Sequence, residues 1–386
     1  MRLTLVISAL ERGGAERILS MLAGAWARQG REVTLITFDN RELPAYALDP
    51  AVVLKSLQVS KEPAGNPLRA LRRNLQRILR LRRTIRESAP DIVLSFLDFS
   101  NIITLLAALG LPFPVIVSER ANPAFDDLKG LWRMLRRRLY PRAAAMVCQT
   151  SAMVKQIQET ITVRGCAIPN PVELPTAFSH GAEKSPQPTS PRIVAMGRLV
   201  PQKGFDLLLN AFSRIAARHP EWSITILGQG PLREQLQQQA LSLGLEHRVN
   251  FPGAVAAPFS ILRAADLFVF SSRFEGFGNA LAEAMACGLP VISFDCPAGP
   301  SDIIRDGVDG VLVPPENVTA LAAAMDRLMS DPAERARLSR RAPEVLERFS
   351  LDSILSMWDD LFTRVLGKGR APNAEFQSQG RGPGSG

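Results

Sequence analysis

Two glutamates, Glu275 and Glu283, lie on either side of a glycine-rich turn at 276–278. The turn precedes a short apolar helix that starts near Asn279 and ends at a glycine followed by a proline. A helix N-terminus exposes unpaired backbone N–H groups, which bind phosphate. The two carboxylates suit the hydroxyls of a ribose or hexose attached to that phosphate. The alternative is two solvated glutamates beside a loop, and spacing alone does not separate the two interpretations.

Arg198 and Lys203 follow a predicted strand in the segment GRLVPQKG. The Arg198 guanidinium can bind phosphate oxygens in bidentate fashion, and Lys203 adds a second positive charge. Together they would neutralise a diphosphate as its bond to a sugar breaks, an effect commonly worth several kcal/mol of barrier. The alternative is an arginine and a lysine on the surface of an ordinary turn.

Two glycine pairs also follow predicted strands. Gly228 and Gly230 allow either a close approach to a nucleotide or only a tight turn. Gly13 and Gly14 precede a helix, where they could cradle an anion, admit a ligand, or form a plain strand-to-helix turn.

Glu119 and Arg120 stand at the carboxyl end of another predicted strand. Glu119 could act as a general base in a cleft at that edge. Alternatively, the two side chains pair with each other.

Strands and helices alternate in two series, which predicts two doubly wound α/β domains, each with a parallel sheet covered on both faces. Ligands of such sheets bind at the carboxyl ends of the strands. The predicted divisions are an N-terminal domain at 1–172, a linker at 173–190, a C-terminal domain at 191–348, a last amphipathic helix at 349–366 and a disordered tail at 367–386.

The predicted strands follow the apolar, β-branched runs of the sequence. In the first domain they lie near 2–9, 33–38, 91–96, 114–118 and 144–149. In the second domain they lie near 192–197, 223–228, 248–251, 267–271, 290–294 and 310–313.

Four of these segments together resemble the retaining glycosyltransferases of family 4, which have the GT-B fold. They are Gly13-Gly14-Ala15-Glu16, GRLVPQKGFDLLL, Gly228-Gln229-Gly230-Pro231, and Glu275-x7-Glu283 within EGFGNALAEAMACGLPVI. They occur in the expected order, and the resemblance extends to about residue 366. It implies that the helix at 349–366 is a crossover helix that returns to the first domain.

The resemblance implies a role for each matched residue. Arg198 and Lys203 would contact the donor diphosphate, Glu275 the transferred sugar, and Glu283 the ribose hydroxyls. The implied catalytic set is Arg198, Lys203 and Glu275. The implied donor-binding set is Gly228, Gly230, Gly276, Phe277, Gly278, Asn279, Ala280 and Glu283. The implied acceptor-side set is Gly13, Gly14, Glu119 and Arg120. In the segment that contains Glu119 and Arg120, several family members carry a histidine that this chain lacks.

The resemblance also implies retention of the donor's anomeric configuration. Since the sequence offers no obvious carboxylate nucleophile, we favour front-side substitution over a two-step route. No Asp-x-Asp pair is present, so we expect neither a metal nor another cofactor.

We expect a nucleotide-sugar donor, with a UDP-sugar favoured over a GDP-sugar. We favour a polyprenyl-diphosphate-linked glycan as acceptor over a lipopolysaccharide core. A nucleotide-sugar 2-epimerase of the same fold and a non-catalytic binding protein remain the alternatives.

Charge and composition bear on compartment and partners. The chain has 386 residues and a net charge of +9, with eight arginines between Arg69 and Arg86 and a second cluster (Arg133, Arg136, Arg137 and Arg138). These clusters either bind an anionic membrane surface or form solvated helix faces, and the absence of interleaved aromatics argues against nucleic acid. Four widely spaced cysteines and no signal-peptide pattern favour a cytoplasmic location. The basic clusters would make the protein peripheral on the inner face of the plasma membrane.

Overall fold

The computed structural model describes residues 1–11, 13–39, 44–59, 66–120, 130–175, 191–255 and 257–367, with the backbone alone at 67 and 68. Most of the predicted linker and nearly all of the predicted tail lie outside these ranges. The chain forms two units, one from Met1 to Pro169 together with the chain from Leu355 onward, the other from Asn170 to Ile354. The sequence analysis places the corresponding divisions at 172 and 348.

The first unit has a wholly parallel sheet in the order β3-β2-β1-β4-β5-β6-β7. Its strands are β1 (Arg2–Ile7), β2 (Glu32–Thr37), β3 (Val52–Ser56), β4 (Ile92–Phe96), β5 (Val115–Ser118), β6 (Ala145–Cys148) and β7 (Gly165–Ala167). Its helices are α1 (Gly14–Arg28), α2 (Pro67–Ser88), α3 (Asp98–Ala108), α4 (Leu131–Leu139) and α5 (Ser151–Gln158).

The second unit repeats the plan, with the parallel order β10-β9-β8-β11-β12-β13. Its strands are β8 (Arg192–Met196), β9 (Ser223–Leu227), β10 (Val249–Gly253), β11 (Leu267–Phe270), β12 (Val291–Phe294) and β13 (Val311–Val313). Its helices are α6 (Phe205–Ser213), α7 (Arg233–Ser242), α8 (Pro258–Arg263), α9 (Asn279–Ala286), α10 (Pro300–Ile303), α11 (Val318–Ser330), α12 (Pro332–Arg341) and α13 (Val345–Arg348). The last helix, α14 (Leu351–Gly367), begins in this unit and continues into the first.

The prediction of two doubly wound halves is confirmed, and the sheet of the second unit shows the physical reason. Its strands bury alternate residues in two apolar clusters, one on each face. On β8, Ile193 and Ala195 belong to one cluster and Val194 to the other. A strand buried on both faces reads as a continuous apolar run, which is the signal used above.

Two strands were not predicted, β3 and β7, and both lie at the edges of the first sheet. An edge strand packs on fewer neighbours, so its sequence needs less apolar character. On β3 only Val52 is buried, and the three residues of β7 are all half-buried.

Aromatic side chains attach α14 to the first unit. The indole of Trp358 is fully buried, and its centroid lies 5.9 Å from that of Trp26 and 6.5 Å from the ring of Phe96. Phe362 contacts both tryptophans, at 5.5 and 5.8 Å. The C-terminal helix therefore completes a core whose other residues come from the first part of the chain.

We expect Trp358→Ala to lower the free energy of unfolding by about 3–5 kcal/mol, because the change leaves a cavity among buried rings. Urea unfolding monitored by circular dichroism measures this quantity. The matched control is the neighbouring Met357→Ala, whose side chain is 37% exposed and should cost less than about 0.5 kcal/mol. Equal effects of the two changes would contradict the packing of α14.

Candidate active site

The second sheet reverses its strand order between β8 and β11, so the loops that follow these strands diverge to opposite faces. Such a switch point is where open α/β sheets bind ligands. The loop after β8 contains Arg198 and Lys203, and the loop after β11 contains Glu275. Topology alone therefore brings the three predicted catalytic residues to one edge of one sheet.

Hydrogen bonds join these two loops. Arg273 N donates to Gln202 O at 2.8 Å, and Gln202 Nε2 donates to Phe274 O at 2.9 Å. Ser271 Oγ donates to Lys203 O at 2.9 Å. The sequence analysis did not single out Gln202 or Arg273, because their partners are distant in sequence and neither residue type is distinctive. Their effect is to fix the backbone that carries the predicted site.

Lys203 and Glu275 form an ion pair, with Nζ 2.5 Å from Oε1 and both side chains largely buried. The ammonium also lies 5.7 Å from the centre of the Phe270 ring. Cys296 lies beside the pair. Burial, reinforced by the charge of Glu275, raises the pKa of its thiol to about 12, so it is protonated at neutral pH. A lysine that gives one hydrogen to Glu275 retains two further N–H donors for an anion.

Arg198 differs from Lys203 in that its side chain is exposed. Among the residues that the structure describes, it has no ion-pair or hydrogen-bond partner for its guanidinium. It is therefore a free cation in the same loop as Lys203, which suits it to an anionic ligand from solution.

Gly228 and Gly230 serve the chain's own backbone. A Cβ on Gly228, whose φ is 144°, would lie 1.8 Å from the carbonyl oxygen of Gly197. Gly230 meets Leu199 O in the same way, at 2.4 Å. Both glycines thus approach the loop after β8 closely, a contact that the sequence analysis did not consider. The glycines thereby let the loops after β8 and β9 lie against each other. The close approach to a nucleotide stays a prediction.

The N-terminus of α9 presents backbone donors at the same edge. Its N-cap residue is Gly278, with φ 108°, and the amides of Asn279 and Ala280 have no acceptor within the helix. Phe277 is 2% exposed and its ring lies in the apolar core, so only its backbone can meet a ligand. Gly276 completes this buried turn.

Glu283 lies in the second turn of α9 and is 8% exposed. Its negative charge adds to burial in raising the pKa of the neighbouring Cys287 thiol to about 12. The two glutamates are thus carried by one turn-and-helix segment, Glu275 ahead of the helix and Glu283 within it.

The acceptor-side residues predicted in the first unit also follow strands of their sheet. Gly13 is the N-cap of α1 and Gly14 its first residue. The carboxylate of Glu16 lies against Gly13, where a Cβ would come within 2.1 Å of Oε2. An anion brought to this turn would therefore meet a carboxylate of the protein itself.

Glu119 and Arg120 lie directly after β5, and both are buried. Glu119 Oε1 pairs with the guanidinium of Arg136 at 3.0 Å and accepts a hydrogen bond from the hydroxyl of Tyr140. Arg120 lies over the ring of Phe96, 4.0 Å from its centre, and burial lowers its pKa to about 9. Glu119 is thus an ion-paired buried carboxylate that helps to hold α4 in place.

The Arg136 result corrects the expectation of a second basic surface cluster, since this arginine is 7% exposed and faces inward. Arg133, Arg137 and Arg138 remain on the surface of α4. The helical pattern alone could not show which of the four arginines is buried, because the carboxylate that pairs with Arg136 lies outside α4.

Within the described ranges, no helix has the length and apolar character to span a bilayer. The same part of the chain contains no cluster of three or more His, Cys, Asp or Glu side chains arranged to hold a metal ion.

Comparison with known families accounts for both units. Residues 13–171 match the glycosyl transferase 4-like domain, and residues 180–345 match glycosyl transferases group 1. The chain belongs to the family 4 type of GT-B glycosyltransferases.

Three known proteins resemble this chain to different extents. The transferase is 29% identical to a Campylobacter jejuni α-1,4-N-acetyl-D-galactosaminyltransferase named for a GalNAc-GalNAc-diNAcBac-diphospho-undecaprenol acceptor, over 95% of this chain and 99% of that protein. It is 34% identical to an exopolysaccharide phosphotransferase of Streptomyces coelicolor over 59% of this chain, but this match spans only 24% of that protein. It shares its fold with Anabaena HepE, solved in complex with UDP, at a TM-score of 0.74 and 20% identity, covering 94% and 100% of the two chains.

We expect Gly228→Ala to destabilise the transferase by at least about 3 kcal/mol and to weaken nucleoside diphosphate binding, because the loop carrying Arg198 and Lys203 must move. Thermal unfolding and calorimetric titration measure the two effects. Gly244→Ala is the control, because its φ is also positive at 67° but nothing lies within 4 Å of the added Cβ. It should cost only about 1 kcal/mol of strain and leave binding intact. Equal behaviour of the two variants would show that the close approach at Gly228 is unimportant.

Proposed function

We propose that this glycosyltransferase moves a hexose or N-acetylhexosamine from a nucleotide sugar, a UDP-sugar by preference, to a polyprenyl-diphosphate-linked glycan. The proposed transfer retains the anomeric configuration and needs no metal ion. The observation that carries it is the Lys203–Glu275 pair at the switch point of the second sheet. A cation held against a carboxylate matches a ligand in which a phosphate is joined to a hydroxyl-bearing sugar.

The donor would be held by complementary groups along this edge. Arg198 and Lys203 would bind the diphosphate together with the amides of Asn279 and Ala280. Glu275 would accept hydrogen bonds from the hydroxyls of the transferred sugar, and Glu283 from those of the ribose. A UDP-sugar is favoured because Anabaena HepE, which has the same fold, was solved with UDP.

The proposed reaction is a front-side substitution. The acceptor hydroxyl oxygen forms a bond to the anomeric carbon while the bond from that carbon to the diphosphate oxygen breaks. The hydroxyl proton passes to the departing phosphate, so the protein supplies no base. Arg198 and Lys203 would stabilise the negative charge that develops on the diphosphate.

The acceptor proposal is supported by a relative and by charge. The Campylobacter protein's name gives a diphospho-undecaprenol glycan as its acceptor, and that protein matches this chain over nearly its whole length. Exposed arginines on α2 and α4 give the first unit a surface suited to a negatively charged substrate or membrane.

The deciding experiment is a nucleotide-release assay on the purified protein. It uses UDP- and GDP-sugars with and without a polyprenyl-lipid extract, and with and without EDTA. We expect UDP release from one donor that depends on lipid and is unchanged by EDTA. Strong inhibition by EDTA that magnesium reverses would contradict the metal-free proposal, and epimerised sugar without release would favour the epimerase.

Two variants make the assay specific to the site. Glu283→Gln should raise the donor KM about tenfold or more, since a charge-assisted hydrogen bond to the ribose is lost. Glu246→Gln, an exposed glutamate between α7 and β10, should behave as wild type. Unchanged kinetics of the Glu283 variant would remove that residue from the site.

We further propose that the protein is peripheral on the cytoplasmic face of the membrane, attached through α2. The leucines of α2 recur at the spacing of one helical face, which is typical of a face packed in a core. The structure instead leaves Leu71, Leu75 and Leu79 exposed at 66%, 52% and 56%. Their spacing of four residues makes one apolar ridge, and exposed Arg69, Arg72 and Arg86 lie on the same helix. An apolar ridge with arginines fits an interfacial helix on anionic lipid.

We expect the combined change of Arg69, Arg72 and Arg86 to glutamate to weaken binding to phosphatidylglycerol vesicles at least about hundredfold, at about 1 kcal/mol per basic residue. Vesicle co-sedimentation measures the partition. Changing Leu71, Leu75 and Leu79 to serine should also weaken it, whereas Leu241→Ser on α7, 55% exposed, should not. If neither the arginine nor the leucine substitutions alter vesicle binding, α2 does not attach the protein to the membrane and its exposed side is an ordinary solvated face.

A further inference from the structure

The chain changes unit at two points. Residues of the second unit next to each of these points contact the turn that begins α9. The chain enters the second unit at Asn170 and leaves it after Ile354. Asn170 is 2% exposed, and its Nδ2 donates a hydrogen bond of 2.8 Å to Oδ1 of Asn279. Asn279 is the first residue of α9, so this bond holds the side chain of the residue whose amide opens the helix.

A second connection to the same turn is apolar. Val172 N donates to Phe349 O at 2.8 Å. This bond links the segment by which the chain enters the second unit to the segment before α14. The rings of Phe349 and Phe277 meet edge to face at 5.4 Å, and both residues belong to one buried cluster with Val172. Phe277 precedes the N-cap glycine of α9. The two connections therefore fix the turn from its side chains and from its core.

The backbone around Asn170 is restricted before any ligand arrives. Pro169 and Pro171 flank it, and a residue that precedes proline is confined to extended conformations. An amide group on so restricted a backbone loses little freedom when it binds its partner. Asn170 is therefore a preorganised donor aimed at α9.

We propose that Asn170 is a positioning residue for the donor diphosphate, acting through Asn279. By occupying Oδ1 of Asn279, it fixes the side-chain amide at the mouth of the turn and keeps the backbone N–H groups of Asn279 and Ala280 in place for phosphate oxygens. This proposal rests on the proposed function, since it assigns a helper to the same donor site. Asn170 itself need not touch the substrate.

The test is calorimetric titration of the full-length protein with UDP. Asn170→Ala should raise the Kd for UDP about fivefold to tenfold, the loss expected for one hydrogen bond. Asn170→Asp, which has the same shape, should raise it at least as much, because a carboxylate has no N–H to donate to Asn279 Oδ1. Asn250→Ala on β10, an exposed asparagine of the same unit, should leave the Kd unchanged.

A double-mutant cycle separates positioning from mere stability. Asn279→Ala alone and Asn170→Ala with Asn279→Ala should weaken UDP binding to the same degree, since each breaks the same connection. Additive losses would overturn the proposal, as would a lowered Tm of the Asn170 variants with wild-type Kd. If the wild-type protein binds no nucleotide, the proposed function fails and this inference fails with it. If the wild type binds UDP and the Asn170 variants bind equally well, the inference fails alone.

Discussion

The candidate site depends on a close approach of backbone to backbone that only glycine permits. A Cβ on Gly204, with φ 60°, would lie 2.0 Å from Ser271 O, and one on Gly228 would lie 1.8 Å from Gly197 O. The loops after β8, β9 and β11 are thereby packed into one piece at the switch point of the sheet. Because the backbones meet so closely, Lys203 reaches a carboxylate that is far from it in sequence.

The two units use buried carboxylates in different ways. Burying an ion pair costs desolvation energy that its attraction offsets only partly. In the first unit, Glu119 has both Arg136 and Tyr140, and its oxygens serve the packing of α4. In the second unit, the described partner of Glu275 is Lys203, which retains donors for another ligand. A less completely satisfied pair is better suited to exchanging partners with a substrate.

The sequence predicted those features that depend on local pattern. It placed the central strands and the start of α9 near Asn279, because burial on both faces and glycine-rich turns leave a direct signal. The residues that it assigns to donor binding stay a prediction. It did not predict the edge strands β3 and β7, which need little apolar character. It also could not distinguish the inward Arg136 from its exposed neighbours, or the exposed ridge at Leu71 from a buried one. In those cases burial depends on whether another element of the fold packs against the side chain.

The aromatic contacts of Trp358 have a consequence for the order in which the chain can fold during synthesis. The second unit is one continuous stretch, from Asn170 to Ile354, and all of it has been synthesised before the end of α14. The first unit starts earlier but lacks Trp358 and Phe362 until the whole second unit has been synthesised. A nascent chain therefore exposes the surface around Trp26 throughout translation of the second unit. The N-terminal unit, although made first, is the one that finishes last.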